Sequence, residues 1–398
     1  MTSTAIPSSS AVVGAYEHPT RKAIGISLGQ IHAESVAGAL ADAGLGIDDI
    51  DGFCCATGDS PGSILNLADY LGLRNLRWID GTDTGGSSYL LHVGHAVQAI
   101  ESGQASVVLI SMAGRPKAAA LEAGTVASGL APRVLHPEQP DAGFEGLYGA
   151  TTVTAYAMCA ARHMHDFGTT SEQLAWVKVA ASEHAQWNEH AVLRTPVTVR
   201  DVVSSPMIAD PLHRLDCCLV TDGGGALILA REDIARRLNR PVVKVRGHGA
   251  AVSVQGGSGV DLTSTAAVHS GKAAFGMAGV EPGDMRYASI YDSFTITVVM
   301  QLEDLGFCEK GAGGRFVADG NLISGVGQLP WNTDGGGLCN NHPGNRGGMT
   351  KLLEAVRQAR CEAHPKVQVA DPSLVLAHGT GMLLGVRHVS GTVVLERV

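Results

Sequence analysis

The chain has 398 residues, which is enough for two domains or for two halves that share one large core. Its formal charge of −9 excludes general nucleic-acid binding, which requires a basic surface. Its 51 glycines and only 5% aromatic residues favour a layered α/β fold with many tight turns over an aromatic-rich β-sandwich.

The same composition predicts where the protein works. The first ten residues are small and polar, which is typical of a frayed end and not of a secretion signal, and no segment reaches the ~18 consecutive apolar residues of a membrane span. Eight cysteines without a CxxC spacing do not fit a zinc ribbon or a secreted disulfide framework. We therefore expect a reduced, cytoplasmic protein with no metal site and no membrane contact.

Strand and helix alternate through the first 240 residues. The pattern predicts strands at 12–16, 50–55, 105–112 and 221–230, and helices at 27–43, 89–102 and 231–238. The continuous apolar run at 105–112 is typical of a strand that helices cover on both faces. From about 115 to 210 the pattern is less regular, and we interpret this part as an inserted loop region with helices at 148–167 and 171–186.

The alternation restarts after residue 240. It predicts strands at 242–245, 287–291, 374–377 and 392–396, and helices at 264–276, 294–305 and 350–360. We therefore expect two similar α/β halves, 1–240 and 241–398, built around layered sheets.

A glycine-rich segment, 332–348, is the strongest candidate for a ligand site. Glycine lets the backbone approach a ligand closely, at an entropic cost that an ordinary loop has little reason to accept so often. The segment Asn332-Thr-Asp-Gly-Gly-Gly-Leu-Cys-Asn-Asn-His342-Pro-Gly resembles the thiolase pattern Asn-x-x-Gly-Gly followed by Gly-His-Pro. Leu376-Ala-His-Gly-Thr-Gly381-Met resembles the later Cys-x-Gly-x-Gly motif, and Tyr291-Asp-Ser-Phe294 occupies the place of Asn-Glu-Ala-Phe.

The first half carries the same resemblance to the thiolase superfamily. The strand after Gly103 resembles the thiolase Gly-Asp-Ala strand, and the segment from Leu212 to Gly224 resembles the sterol-carrier and lipid-transfer-protein branch. The resemblance implies a duplicated, five-layered αβαβα fold, usually dimeric, that acts on acyl-CoA thioesters. Coenzyme A then enters as part of the substrate, with no covalently bound cofactor.

Two departures from the thiolase pattern change the expected chemistry. Gly86 stands where the nucleophilic cysteine of a thiolase begins a helix, and Ala377 stands where the second cysteine shuttles a proton. Covalent thiolysis needs a thiolate at that helix N-terminus, where the orphan N–H groups lower its pKa. Ser87 would need an adjacent base, so an ordinary acyl-enzyme is not expected.

The resemblance implies that the part of the site that stabilises an enolate oxygen is retained. It places His342 and Tyr291 at the two positions that bind this oxygen in thiolases. To act as a base, Tyr291 would need its pKa lowered by a neighbouring donor such as His342 or His378, or would act through a water. The oxyanion and substrate-binding set is completed by Gly86, Ser87, Gly336, Asn341, Gly379 and Gly381. We expect retro-aldol cleavage of a β-hydroxyacyl-CoA, with Tyr291 as base or proton relay.

Lipid-transfer-protein aldolases that cleave steroid side chains share the Tyr-Asp-Ser-Phe segment. They tend to carry a second tyrosine in the glycine loop, where this chain has Asn340-Asn341-His342, so a different acyl group is also open. Members of this branch often work with a small OB-fold subunit that bears a zinc ribbon. We expect a homodimer and such a partner.

Other interpretations remain open at this point. Cys339 could act as the nucleophile of a thiolase or acyltransferase, although buried cysteine is more often an inert core residue. Tyr291 could be core packing, and His378 could belong to a simple turn in a strand. The chain could also be a non-catalytic subunit that binds acyl-CoA.

Overall fold

The computed structural model describes residues 9–125, 151–254, 260–344, 346–384 and 387–398. Its strands are β1 (Ser10–Glu17), β2 (Gly52–Cys54), β3 (Trp78–Asp80), β4 (Val107–Gly114), β5 (Met207–Ala209), β6 (Leu212–His213), β7 (Gly223–Arg231), β8 (Val243–Val254), β9 (Tyr287–Ile290), β10 (Leu374–Leu383) and β11 (Arg387–Arg397). Its helices are α1 (Leu28–Ala43), α2 (Ile64–Leu71), α3 (Ser88–Glu101), α4 (Pro116–Glu122), α5 (Thr152–Phe167), α6 (Ser171–Ala185), α7 (Val199–Val203), α8 (Glu232–Ala235), α9 (Ala267–Ala278), α10 (Thr295–Asp304), α11 (Gly313–Val317), α12 (Gly336–Cys339) and α13 (Gly347–Ala359).

The main sheet repeats one strand order in the two halves. Its order is β3-β2-β4-β7-β1-β8-β11-β10-β9. In the first half β2 is parallel to β3 and β4, and β7 is antiparallel to β4 and β1. In the second half β9 is parallel to β10, and β11 is antiparallel to β10 and β8. Trp331 forms a parallel bridge to Ala288 of β9, at the place that β3 takes beside β2.

The halves meet at a short junction, where β1 pairs with β8 through two residue pairs. The repeated connectivity confirms the predicted duplication. The boundary near residue 240 falls between α8 and β8 and stays a prediction, because the sheet itself continues across it.

Helices separate the structure into five layers. Helix α1 contacts β1, β4 and β7 on the outer face of the first half, and α9 contacts β8 and β11 on the outer face of the second. Helices α3 and α13 each contact strands of both halves and therefore lie between them. The outer side of the first half, the central helices and the outer side of the second half each have an apolar core, represented by Phe53, Leu90 and Val299 in that order. This arrangement confirms the predicted αβαβα architecture.

Some predicted elements differ from the observed ones. The edge strand β3 and helix α2 were not predicted, because three residues of strand and two turns of helix give too short a pattern. Strand β10 continues six residues beyond its predicted end, through Gly379 and Gly381, since glycine is required there by close neighbours and not by a turn. The two helices predicted within 115–210 are present as α5 and α6, and the first residues of the former prediction, 148–150, lie outside the described ranges.

Helices α5 and α6 pack into the core of the second half. They share an apolar cluster with α10, through residues such as Ala160, Val177 and Val298. The described part of this region is thus a helical layer and not only the inserted loop that the sequence indicated. Among the helices described, none is long and apolar enough to cross a membrane.

Candidate active site

The ring of Tyr291 fills the space beside Gly86. Gly86 lies in a 3-10 turn, Gly85–Ser87, that leads directly into α3. A Cβ atom on Gly86 would lie 2.5 Å from Cε2 and 2.7 Å from Cζ of Tyr291, and would also collide with the carbonyl oxygen of Thr380. The position where a thiolase would carry its nucleophile therefore has no room for a side chain while the tyrosine ring is there.

The structure brings His342 to the same place. The rings of Tyr291 and His342 meet edge to face, with centroids 5.4 Å apart and planes at 72°. A Cβ on Gly347 would lie 2.8 Å from Cε2 of Tyr291 and 3.4 Å from Cδ2 of His342. A Cβ on Gly337 would lie 3.0 Å from the same histidine carbon. Glycine at these positions thus lets the backbone close around both rings.

The His342 side chain is neutral at neutral pH. Burial and the nearby Lys351 ammonium lower the pKa of His342 to about 4. No residue that the structure describes forms a hydrogen bond with its Nε2 atom. A buried polar atom without a partner costs free energy, so a ligand atom that bonds to Nε2 would remove that cost.

The Tyr291 hydroxyl is protonated at rest. Burial raises its pKa well above the ordinary value, and Cys218, Tyr156 and Asp292 add to this effect, whereas Arg346 lowers it. The phenol is therefore suited to pass a proton on rather than to remain ionised before substrate binds.

A hydrogen-bonded scaffold holds the His342 backbone. The Oγ1 atom of Thr221 accepts a hydrogen bond from the His342 N–H at 2.9 Å and donates to Oδ1 of Asn341 at 2.8 Å. The Asn341 amide nitrogen donates in turn to Glu17 at 3.0 Å. Asn341 was predicted to bind substrate, but its amide bonds in the structure are to this scaffold. Sequence reasoning missed Thr221, whose only signal was its place before the glycines that open β7.

A buried ion pair supports the glycine loop from the other side. Asp292 accepts hydrogen bonds from the backbone N–H groups of Gly337 and Leu338, and from Nζ of Lys351 at 3.0 Å. Gly336 has φ +60, and a Cβ there would collide with a carboxylate oxygen of Asp292. Gly336 therefore shapes the loop beneath His342. The sequence offered one hint of Asp292, its place directly after Tyr291.

The structure separates His378 from the other predicted residues. Successive side chains of a strand point to opposite faces, so His378 faces away from Ala377 and Gly379. Ala377 belongs to the central core that contains Leu90, and a Cβ on Gly379 would collide with the Leu90 side chain. The His378 Nδ1 atom bonds to Thr392 at 2.8 Å, on the outer face. Only its carbonyl oxygen reaches Tyr291, where it accepts the backbone N–H at 3.0 Å.

Gly381 and Ser87 serve the turn that carries Gly86. A Cβ on Gly381 would collide with the carbonyl oxygen of Thr84 and would lie 2.8 Å from Oγ of Ser87. The buried Ser87 hydroxyl donates to the Thr84 carbonyl at 3.0 Å, and its other hydrogen bond is to the Thr84 hydroxyl. Among the residues that the structure describes, the Ser87 hydroxyl thus bonds to Thr84 and to no base that could activate it.

Cys339 lies at the end of α12, against α6. Burial raises the pKa of its thiol, although Lys178 of α6 partly offsets this. The Lys178 ammonium donates to the carbonyl oxygen of Leu338 at 2.6 Å, next to the thiol. The thiol belongs to the apolar core of the second half. A fully buried cysteine whose pKa is raised lacks the thiolate character of a nucleophile.

The chain is similar to known proteins along most of its length. Residues 249–397 match the family described as "Thiolase C-terminal domain-like". The chain is 33% identical to the steroid side-chain-cleaving aldolase of Thermomonospora curvata, over 89% of this chain and 91% of that protein. It is 34% identical to the 17-hydroxy-3-oxo-4-pregnene-20-carboxyl-CoA lyase of Mycobacterium tuberculosis, over 94% and 96% of the two chains.

The fold of a solved aldolase agrees as well. The structure of the Ltp2-ChsH2(DUF35) aldolase superposes with a TM-score of 0.86 and 30% identity, over 99% of each chain. The chain is an enzyme of the thiolase superfamily, and it belongs to the branch that contains the sterol-carrier-protein thiolases and the steroid side-chain-cleaving aldolases.

Proposed function

We propose that this enzyme cleaves a β-hydroxyacyl-CoA by a retro-aldol reaction, giving a ketone or aldehyde and a shorter acyl-CoA. The observation that carries the proposal is the contact between Gly86 and the Tyr291 ring. It leaves no place for a nucleophile, and the Tyr291 ring also meets the edge of the His342 ring, whose Nε2 atom has no partner among the described residues. These two groups fit a reaction that moves a proton and stabilises an enolate without an acyl-enzyme.

The reaction needs no co-reactant. The phenol oxygen of Tyr291 accepts the proton of the β-hydroxyl group as the phenol gives up its own proton towards the α-carbon. The bond between the α- and β-carbons breaks, and its electron pair forms the enolate of the acyl-CoA, to whose oxygen Nε2–H of His342 donates a hydrogen bond. The proton released by the phenol ends on the α-carbon, so Tyr291 is protonated both before and after the reaction. Burial raises the pKa of Tyr291 and so disfavours the phenolate. A relay in which the phenol accepts one proton and releases another avoids a long-lived phenolate.

The relatives support a steroid acyl group as the first substrate to test. Two of them are named for the cleavage of a steroid side chain or a pregnene carboxyl-CoA. Such aldolases tend to have a second tyrosine where this chain has Asn340-Asn341-His342, and Asn341 is hydrogen-bonded to the scaffold. A hydroxyacyl-CoA with a smaller or differently shaped acyl group should therefore be tested beside the steroid substrate.

We also propose that the enzyme works with a partner subunit. The similar solved aldolase is named as a pair, Ltp2-ChsH2(DUF35). A small OB-fold subunit with a zinc ribbon would bind the CoA moiety or the acyl chain, and a homodimer of the present chain would form the centre of the complex. The predicted cytoplasmic location belongs to the same proposal.

The test is cleavage of 17-hydroxy-3-oxo-4-pregnene-20-carboxyl-CoA by wild type, Tyr291→Phe and His342→Gln, each with and without a DUF35 partner. We expect kcat to fall about 100-fold or more in either variant, since proton transfer and an oxyanion donor each contribute roughly that much. Cys339→Ala is the control and should keep its activity. Full cleavage by Tyr291→Phe would refute the proposed role.

The alternatives make different predictions in the same experiment. An acyl adduct on Cys339 in mass spectra, together with inactivity of Cys339→Ala, would support a thiolase or acyltransferase. Binding of acyl-CoA without turnover, even with the partner present, would support a non-catalytic subunit. The burial of the Cys339 thiol against α6 disfavours the first alternative.

A further inference from the structure

A second cluster of buried charges lies behind the Gly86 turn. Asp59 is 1% exposed, and its carboxylate forms an ion pair with Nε of Arg346 and accepts a hydrogen bond from the Tyr89 hydroxyl. Burial raises the pKa of Asp59 to about 7, against the opposing effect of Arg346. The reaction proposed above uses none of these three groups, although buried charges are expensive and require a reason.

Asp83 extends the cluster to the Gly86 turn. Its carboxylate accepts hydrogen bonds from the backbone N–H groups of Gly85 at 3.0 Å and of Gly58 at 2.9 Å. A Cβ on Gly58 would lie 2.7 Å from Nη2 of Arg346 and 2.8 Å from Oδ2 of Asp83. Arg346 therefore lies between the two carboxylates, one on the 57–59 turn and one just before the Gly86 turn.

The backbone of Arg346 leads into the other wall of the site. Gly347 follows directly and approaches the Tyr291 ring, where a Cβ would lie 2.8 Å from Cε2. Gly348 comes next, and a Cβ there would collide with the carbonyl oxygen of Gly86. Arg346 thus precedes the two glycines that begin α13 and that contact Tyr291 and the Gly86 turn. Its side chain connects this start of α13 to the 57–59 turn through Asp59.

The charge of Arg346 also acts on the phenol. The groups that face Tyr291 are Cys218, Tyr156, Asp292, His342 and Arg346. The first three disfavour a negative phenolate, and His342 is neutral because its pKa is about 4. Arg346 carries a positive charge and favours the phenolate, as an opposite charge does.

We propose that Arg346 is a positioning residue for the reaction. Anchored by its ion pair with Asp59 and lying close to Asp83, it holds the Gly86 turn and the start of α13 against Tyr291 and supplies the positive charge that stabilises the phenol oxygen as its proton leaves. Its catalytic meaning rests on the proposed function, whereas its coupling to Tyr291 does not.

The coupling is tested without any substrate. A fluorinated tyrosine, whose phenol is more acidic than that of tyrosine, is placed at position 291 of the full chain, and its titration is followed by fluorine NMR. We expect Arg346→Gln to move this titration to higher pH by roughly one unit or more, and Arg346→Lys, which keeps the charge, to move it less. Arg346→Met is the second neutral variant should Arg346→Gln not fold.

Arg240→Gln is the matched control, because Arg240 is also partly buried and pairs with the carboxylates of Asp42 and Glu362. It should leave the titration unchanged. An unchanged titration in the folded neutral variants of Arg346, or an equal shift in Arg240→Gln, would overturn the proposal. If the titration shifts but wild type cleaves no acyl-CoA, the coupling stands and the proposed function fails.

Discussion

At the scale of single residues, the Tyr291 ring and a side chain at position 86 cannot be present together. The ring occupies the space that any Cβ at position 86 would take, so a cysteine nucleophile at this position is incompatible with the observed position of the phenol. His342 completes the pair because its Nε2 atom is buried and available to a ligand. Cys339 and His378 lie outside this group, one against α6 and one on the outer face of β10.

Adding one methyl group at position 86 should therefore damage the site. In Gly86→Ala the new carbon would meet the Tyr291 ring and the Thr380 carbonyl, so the ring must shift. We expect a loss of roughly 1–3 kcal/mol in the free energy of unfolding and a fall in kcat of about tenfold or more. Denaturant titration and steady-state kinetics measure the two effects.

Gly276→Ala provides the control, because a Cβ at this position of α9 meets no atom within 4 Å. It should be neutral or slightly stabilising, as alanine is favoured over glycine inside a helix. Equal stability and activity of Gly86→Ala and wild type would show that the ring is not held as described.

At the scale of elements, the site is assembled where β7, β9 and the turn before α3 meet the glycine loop. Thr221, just before β7, holds the loop at His342 through two hydrogen bonds. Asp292, just after β9, holds it at Gly337 and Leu338. The loop is thus held at two places by residues that flank two strands, which keeps the histidine ring beside Tyr291.

Removing the Thr221 hydroxyl should free the glycine loop at His342 and Asn341. Thr221→Val keeps the shape but leaves the His342 N–H and the Asn341 amide oxygen without this partner. We expect a loss of roughly 1–3 kcal/mol in the free energy of unfolding, together with a clear fall in kcat. Unfolding curves and cleavage rates provide the measurement.

Thr392→Val is matched to it, since the buried Thr392 hydroxyl bonds to His378 and Ser270 on the outer face of β10. It should lower stability by a similar amount and leave kcat nearly unchanged. A large fall in kcat in Thr392→Val would instead give His378 a part in the reaction.

At the scale of the whole molecule, the fold buries many neutral histidines. Burial lowers the pKa values of six of them to about 3 or 4, namely His32, His92, His184, His342, His378 and His388. In an unfolded chain their pKa is about 6.5. Between these values the unfolded chain binds more protons than the folded one, so their contribution to stability is present above pH ~6.5 and is lost as the pH falls.

We therefore expect the free energy of unfolding to fall as the pH is lowered from about 6.5 towards 4. Asp59 and Glu354, whose pKa values are raised to about 7, act in the opposite direction, as do Asp216, Asp292 and Asp304, whose pKa values burial also raises, but the six histidines outnumber these five carboxyl groups. Denaturant unfolding at a series of pH values measures the slope. A flat profile in wild type would contradict the prediction.

The sequence alone determined the repeated strand and helix order, because strand and helix periods are read within a few dozen residues. The duplicated layers and the meeting of Gly86, Tyr291 and His342, which lie far apart along the chain, were implied by the resemblance of its motifs to the thiolase pattern. The sequence could not decide which face of β10 carries His378, since glycines at 379 and 381 resemble a turn until the atoms that crowd them are known.

Only the tertiary structure decided what holds the site together. Thr221 and Asn341 are 120 positions apart, and Arg346 lies far along the chain from Asp59, so no local pattern reveals that they touch. Their roles depend on burial. A buried polar group without a partner costs free energy, and a buried hydrogen bond is stronger than one in water and holds its two partners in place. A sequence states which residue types are available, but the distances that select their partners arise only when the layers pack.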